Sequence, residues 1–319
     1  MLYIVLFAAV HSFSICHAGS YNLDSAISYL KEDRKRLTVE EVVDKSANRQ
    51  FQGLQTSRIY FGLSSHAYWI KIDLSSVSFA EDKDWILELD TYKLNSVDLH
   101  YRNVDEEWIH QSAGIKLSGR SERPSRRNIA FYLPGISKSD FIYIRLDAHY
   151  YQVPVSIWTQ PAYLEKEQNK VITDGLFYGI VIAILAYHFF IFLAVRTKAY
   201  LTYALFLSTV ILIYLSGQGW LYAYVFSHTA LPVANFAHFT GPFSGWLLLL
   251  LGVQFTRDYL NLPEFNVTLD KALSRIQWAA VIFGVSAVIA LMAHSVMVFG
   301  ILYNLGFVLA VIAIILCFY

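Results

Sequence analysis

Four aromatic side chains in the first half of the chain are of the type that stacks on the face of a sugar ring. Tyr92, Trp108, Tyr150 and Tyr151 stand at the ends of predicted strands or in the connections between them. A ring in such a place can stay outside the core, whereas a ring in mid-strand is committed to packing. The pattern predicts a carbohydrate-like ligand, and packing at a sheet edge is the alternative role for the same rings.

A basic, turn-rich stretch could fix a polar or anionic group of that ligand. It holds Arg120, Arg123, Arg126 and Arg127, and guanidinium groups bind carboxylates and phosphates through paired hydrogen bonds. A solvated loop is the competing interpretation. The predicted ligand-binding residues are Tyr92, Trp108, Tyr150, Tyr151, Arg120, Arg126 and Arg127.

No pattern in the chain indicates catalysis or a cofactor. The histidines His66, His100, His110 and His149 lack metal-ligand spacing. A phosphate loop, a dinucleotide fingerprint, HExxH, CxxC and a nucleophile elbow are all missing from the sequence. The chain as given is therefore predicted not to be an enzyme and to need no metal or cofactor.

The composition separates the chain into two chemically different halves. Hydrophobic residues make up 55% and charged residues only 16%, against about 25% charged in a soluble domain. Three long stretches, 175–195, 199–256 and 276–319, contain no Asp, Glu, Lys or Arg. This excludes a soluble enzyme, a disordered tail and a disulfide scaffold, and the formal net charge of zero gives no reason to expect a nucleic-acid partner.

The first 18 residues predict a signal peptide. Residues 2–10 are apolar, too few to span a bilayer, and the small residues Cys16 and Ala18 precede the predicted cleavage point. An uncleaved anchor is the alternative. Only Cys317 would remain, so the exported domain is expected to fold without a disulfide.

Residues 19–160 are predicted to form an extracytoplasmic β-sandwich. Short segments there alternate apolar and polar residues and are separated by turn signals, as half-buried strands are. The six clearest segments are 68–74, 85–90, 97–102, 128–133, 141–147 and 153–158. Residues 161–175 form a polar juxtamembrane linker in which Pro161 suits a helix start. Such a helix would join the sandwich to the first membrane segment.

An α-helical membrane region is predicted over 176–319. Its five spans are 176–195, 200–220, 232–255, 276–293 and 295–319. Arg196, Lys198, Arg257, Lys271 and Arg275 lie in alternate links, and the opposite links contain no Lys or Arg. This asymmetry places those links in the cytosol and the β domain outside.

Polar residues within the spans are expected to form hydrogen bonds between helices. They are His188, Gln218, Asn235, His238, Gln254, His294 and Asn304. Acidic and basic residues lie only at the edges of the predicted spans, which disfavours ion-coupled transport.

Several segments resemble the bacterial seven-transmembrane receptors with diverse intracellular signalling modules. GLSSHAYWIKIDLSS (62–76) is similar to that family's type 2 extracellular domain, in which a glycine precedes a Tyr-Trp strand. The similarity continues through 85–101, the strand 126–134 and 141–158. In the membrane half it is most specific over 175–206, at Gly175, Tyr178-Gly179, Tyr187, Arg196, Tyr200 and Tyr203, and it recurs in SGQGWLYAYVF (216–226).

The resemblance implies a jelly-roll sensor similar to carbohydrate-binding modules, seven spans, and a cytosolic kinase, cyclase or phosphatase. The sequence departs from this pattern because it has five predicted spans and no output domain. We therefore expect it to be part of a longer receptor in a bacterial inner membrane, and a natural truncation is the alternative.

The leading hypothesis is a sensory receptor whose partners are the lipid bilayer and an unknown small molecule or carbohydrate, and a homodimer is compatible with it. The alternative is a transporter or an accessory protein with a periplasmic partner-binding domain.

Overall fold

The structure is a computed structural model. It describes residues 20–21, 23–32, 36–61, 66–76, 84–115, 124–125, 127–136, 141–146, 152–226, 237–292 and 296–318. The predicted signal peptide lies outside these residues. Two compact units divide the chain, the first extending to Ile172 and the second beginning at Thr173.

The first unit is an antiparallel β-sandwich, which confirms the predicted fold. One sheet has the strand order β1-β11-β6-β9, with β4 also paired to β11, and the other has the order β3-β2-β5-β10-β7-β8. The strands are β1 (Ser20–Tyr21), β2 (Ile27–Lys31), β3 (Gln52–Gly53), β4 (Arg58–Ile59), β5 (Tyr68–Asp73), β6 (Trp85–Leu89), β7 (Val97–Arg102), β8 (Trp108–Ala113), β9 (Ile129–Tyr132), β10 (Phe141–Leu146) and β11 (Val153–Thr159).

Period-two alternation explains how each strand sends one set of side chains into the sandwich. On β5, Ile70 and Ile72 are buried in the main core, together with Ile142 and Ile144 of β10. Side chains at alternate positions point to opposite faces of a sheet, so Trp69 lies on the outer face. There it packs with Val42 of helix α1 (Val39–Ala47).

Helices make up the second unit. They are α2 (Gln160–Val195), which begins in the first unit, α3 (Lys198–Gly217), a π-helical turn at Tyr222–Phe226, α4 (Ala237–Tyr259), α5 (Leu262–Phe265), α6 (Val267–Met292) and α7 (Val296–Phe318). Among the described residues, three helices are long and apolar enough to cross a membrane: Gln160–Val195, Lys198–Gly217 and Val267–Ile289. The five-span count stays a prediction.

Helix α4 runs antiparallel to α3 along its whole length. The Thr202 hydroxyl donates to Asp258 at 2.7 Å near one end of the pair. Ser216 lies 2.6 Å from Thr240, hydroxyl to hydroxyl, near the other end. These contacts at opposite ends of the pair fix the antiparallel arrangement of the two helices.

The basic residues of the membrane half collect at one end of the helices. Lys198 begins α3 at the end where Asp258 of α4 contacts Thr202. The Arg257 guanidinium donates to Asp270 at the start of α6, with Nε 2.7 Å from Oδ1. Arg196, Lys271 and Arg275 lie in or next to the same links. The positive-inside rule predicts that this end is cytosolic.

Candidate functional site: the junction of the sandwich with the first membrane helix

Of the residues predicted to bind ligand, Tyr92, Trp108 and Arg127 lie within the described part of the chain, and they are distributed over both sheets. Tyr92 follows β6 and is 4% exposed, so its ring offers no open face to a sugar. Arg127 lies just before β9, next to the same end of β6, and is buried in an ion pair with Glu167 at 2.8 Å. Both side chains have structural contacts that their sequence context did not indicate.

Trp108 lies on the opposite sheet and is half-buried. Its ring packs 6.3 Å from that of Tyr143, centroid to centroid, and the Arg102 guanidinium lies 4.9 Å from its centroid. Arg120, Arg126, Tyr150 and Tyr151 lie outside the described residues. Ligand binding by this set stays a prediction.

A buried charge pair joins the sandwich to the start of α2. Glu88 stands in the middle of β6 between Leu87 and Leu89, which face the core, so its own side chain emerges on the outer face. It is 1% exposed and forms an ion pair with Lys166 of α2. Its cross-strand neighbours are Ser156 and Ala130, whose small side chains leave room for a helix against this face.

A second charge pair lies one residue further along the helix. Arg127 Nη2 donates to Glu167 Oε1 at 2.8 Å, and the Arg127 side chain is only 6% exposed. The Ser125 hydroxyl also donates to Glu167, at 3.3 Å. Lys166 and Glu167 therefore bind two separate segments of the same sheet.

Apolar packing completes the junction. Tyr163 is fully buried in a cluster with Ile86, Ala130 and Trp158. In a helix, residues three and four apart share a face, so Tyr163, Lys166 and Glu167 all turn toward the sheet. This arrangement explains why polar sequence after β11 forms an ordered helix instead of a flexible linker.

The charges at the junction are unequal in number. The carboxylates of Glu88, Asp90 and Glu167 face the cations of Lys166 and Arg127. Burial raises the pKa of Glu88, Lys166 opposes this shift, and the nearby Asp90 and Glu167 add to it. Asn128 Nδ2 donates to both Glu88 and Asp90 and so bridges two of the acids.

Helix α2 starts without a connecting loop. Strand β11 ends at Thr159, the helix begins at Gln160, and the Gln160 amide donates to the Asp84 carbonyl at 3.0 Å. The helix then continues without a break to Val195. The predicted linker is thus the first turns of the same helix that supplies the first membrane segment.

The continuation of α2 is held within the second unit by another acid. Asp174 is 1% exposed and accepts hydrogen bonds from the Tyr214 hydroxyl at 3.1 Å and from Trp220 Nε1 at 2.7 Å. In the sequence, Asp174 stands at the end of the predicted linker, and no motif near it indicates a role. The one signal for a buried role is that this acidic residue directly precedes a long uncharged segment.

The outer face of the second sheet carries a stacked histidine pair. His100 and His110 are cross-strand neighbours with ring centroids 4.5 Å apart. Burial, followed by repulsion from His110, lowers the pKa of His100 to about 4, although Asp98 and Glu40 oppose the shift. His100 is therefore neutral in the folded protein above about pH 4.

This depressed pKa predicts that the sandwich loses stability in mild acid. Between about pH 6.5 and pH 4 the unfolded state binds a proton at His100 that the folded state does not, so the free energy of unfolding falls as the pH falls. We expect a loss of about 1–2 kcal/mol, since the half-exposed ring is screened by water. Pulse proteolysis in urea at pH 7 and pH 4.5 measures it, and His100→Gln should remove most of the dependence. An unchanged dependence in that variant would assign the effect to other groups.

Both parts of the chain match known family models. The family model described as 7TMR-DISM extracellular 2 matches residues 24–159, the sandwich. The model described as 7TM diverse intracellular signalling matches residues 170–319, the helical part. No curated protein matches the chain. The two family matches together cover nearly all of the sequence in the expected order, and the chain therefore belongs to the seven-transmembrane receptors with diverse intracellular signalling modules.

Proposed function

We propose that the chain detects a ligand outside a bacterial inner membrane and transmits the binding event along α2 to the membrane helices. The family is one of membrane sensory receptors, which supports this role. The observation that carries the proposal is the junction: Glu88 and Arg127 of the sandwich are paired to Lys166 and Glu167 of an unbroken helix.

The physical basis is that the first turns of α2 are bound to the sheet more firmly than a flexible linker could be. Buried ion pairs and the enclosed Tyr163 fix the rotation and height of the helix on β6 and β9. A ligand that shifts these strands must then also move residues 163–167. Because a helix transmits torsion and translation along its axis, that movement would reach the membrane segment of α2.

The ligand class that fits the resemblance is carbohydrate-like, and Trp108 is the described aromatic candidate with an accessible ring. The output would be a cytosolic kinase, cyclase or phosphatase carried by a longer form of the receptor. The alternative of a transporter or accessory protein gains no support from the described contacts.

The test uses the whole chain in lipid nanodiscs with a fluorophore at Lys198→Cys, in a Cys16→Ser/Cys317→Ser background. A panel of neutral sugars, uronic acids and small carboxylic acids is screened by melting shift. A ligand at 100 times its dissociation constant should stabilise the protein by roughly 2.7 kcal/mol, and the same ligand should change the fluorescence at the cytosolic end. A panel without any such ligand would contradict the proposed sensing role.

Two matched insertions after Ile172 test the route. Four glycines should abolish the fluorescence response and leave the melting shift intact, because they break the helix between the units. Four alanines add about 400° of helix rotation, close to one full turn in phase, and should preserve both effects. A response that survives the glycine insertion would exclude α2 as the route.

A further inference from the structure

One face of α6 is basic near the start of the helix, then aromatic, and then aliphatic toward its end. Lys271, Arg275, Trp278, Ile282, Val285 and Ile289 are spaced four and three residues apart and are all exposed. Such spacing places them in a single stripe along the helix. We infer that this stripe binds an anionic phospholipid, with the headgroup phosphate between Lys271 and Arg275 and an acyl chain along the aliphatic residues.

The two cations at its head are available for a ligand. Within the described part of the chain, neither Lys271 nor Arg275 forms a hydrogen bond or an ion pair. The neighbouring acids are engaged elsewhere: Asp270 by Arg257 at 2.7 Å and Asp258 by Thr202 and Gln254. Arg257 is thus paired with a carboxylate inside the protein, whereas Lys271 and Arg275 have no such partner among the described residues.

The lengths fit one leaflet of a bilayer. At 1.5 Å per residue, Arg275 lies about 6 Å from Lys271 along the axis, and Ile289 lies about 16 Å beyond Trp278. Half of the hydrocarbon core is about 15 Å thick. With Trp278, 67% exposed, at the interface where tryptophan is enriched, Ile289 reaches the bilayer midplane and both cations lie at headgroup level.

The segment that connects α4 to α6 has exposed aromatic side chains, which also support contact with lipid. Phe265 of α5 is 82% exposed and Tyr259, at the end of α4, is 69% exposed. Both lie at the same end of the helices as Lys271 and Arg275. Aromatic side chains at this level insert readily between headgroups, which would hold the link against the membrane beside the bound lipid.

The opposite face of α6 packs against another helix through small residues. Ala280 and Ala287 are buried, and a Cβ added at Gly284 would come within 2.4 Å of the Trp246 ring. Small residues of this kind mark helix–helix contacts in membranes. The stripe has only bulky or charged side chains, which favours lipid over another helix as its occupant.

The experiment measures lipid retention by native mass spectrometry on the whole chain, with phosphatidylglycerol and phosphatidylcholine offered at equal concentration. The wild type should retain phosphatidylglycerol preferentially. Lys271→Gln and Arg275→Gln should each weaken its apparent affinity about fivefold, and the double variant about 30-fold, on the basis of about 1 kcal/mol per surface cation. Phosphatidylcholine retention should not change.

A matched control removes two charges from the same end of the bundle. Arg196→Gln/Lys198→Gln should leave phosphatidylglycerol retention within about twofold of the wild type. An equal loss in this control would show a general surface potential and overturn the site. Retention unchanged in the Lys271/Arg275 double variant would also overturn it. So would full competition by inorganic phosphate, or a change of oligomeric state in place of lipid loss.

Discussion

Lys166→Met should lower the free energy of unfolding of the sandwich by about 3–5 kcal/mol. Removing one member of a buried ion pair leaves the other as an uncompensated buried charge, and Glu88 is 1% exposed. Urea-dependent pulse proteolysis of the chain in nanodiscs measures the loss. Lys45→Met is the control: among the described residues, the Lys45 ammonium donates to Gln50 alone, at an exposed position, so the change should alter stability by less than about 0.5 kcal/mol.

The pH dependence of the variant gives a second check on the same charge. With Lys166 gone, burial still raises the pKa of Glu88, now without an opposing cation. A carboxyl group with a raised pKa stabilises the folded state in its protonated form, and this contribution is lost as the pH rises through that pKa. The destabilisation by Lys166→Met should therefore shrink as the medium becomes acidic.

A double variant distinguishes a buried charge from lost packing. In Glu88→Met/Lys166→Met both charges are gone and the apolar volume is similar, so most of the stability should return. If the double variant is as unstable as Lys166→Met, the lysine acts by packing its alkyl chain and the ion pair is not what binds the helix.

Trp85→Ala should destabilise the sandwich by about 3–5 kcal/mol, because a large core side chain is replaced by a cavity. Trp85 is 2% exposed, and its ring meets that of Tyr21 edge to face with centroids 5.1 Å apart. The same proteolysis assay measures the change.

Trp108→Ala is the matched comparison for an aromatic that stays available to ligand. Its ring is half-buried and contacts Tyr143 and Arg102, so truncation should cost no more than about 1–2 kcal/mol. A loss as large as that of Trp85→Ala would mean that Trp108 is a core residue, and the described part of the chain would then lose its aromatic ligand candidate.

The sandwich could be predicted from sequence because alternation is a local signal. YWIKID already shows that Ile70 and Ile72 share one face, and the structure confirms them in the core. Trp85 is buried in the same core, whereas Trp69 and Trp158 lie on the outer faces and are buried under α1 and α2. A turn signal, in contrast, does not show on which side a nearby ring lies, so the sequence does not indicate that Tyr92 is buried.

The junction could not be predicted because its partners are far apart in the chain. Glu88 and Lys166 are 78 residues apart, and Arg127 and Glu167 are 40 apart. In the sequence, Glu88 looks like the solvent side of a half-exposed strand, and Lys166-Glu167 looks like a polar linker. Glu88 becomes buried and Lys166 partly buried because α2 packs on that face of the sheet. This packing joins elements that are distant in the sequence, so no local pattern reveals it.

Hydrogen–deuterium exchange of the whole chain in nanodiscs tests most directly whether α2 and the sandwich move as one body. The amides of residues 163–170 should exchange as slowly as those of β6, and Lys166→Met should accelerate exchange in that helical segment well before it does so in α3. Fast exchange of 163–170 in the wild-type chain, or exchange that Lys166→Met leaves unchanged, would contradict the account.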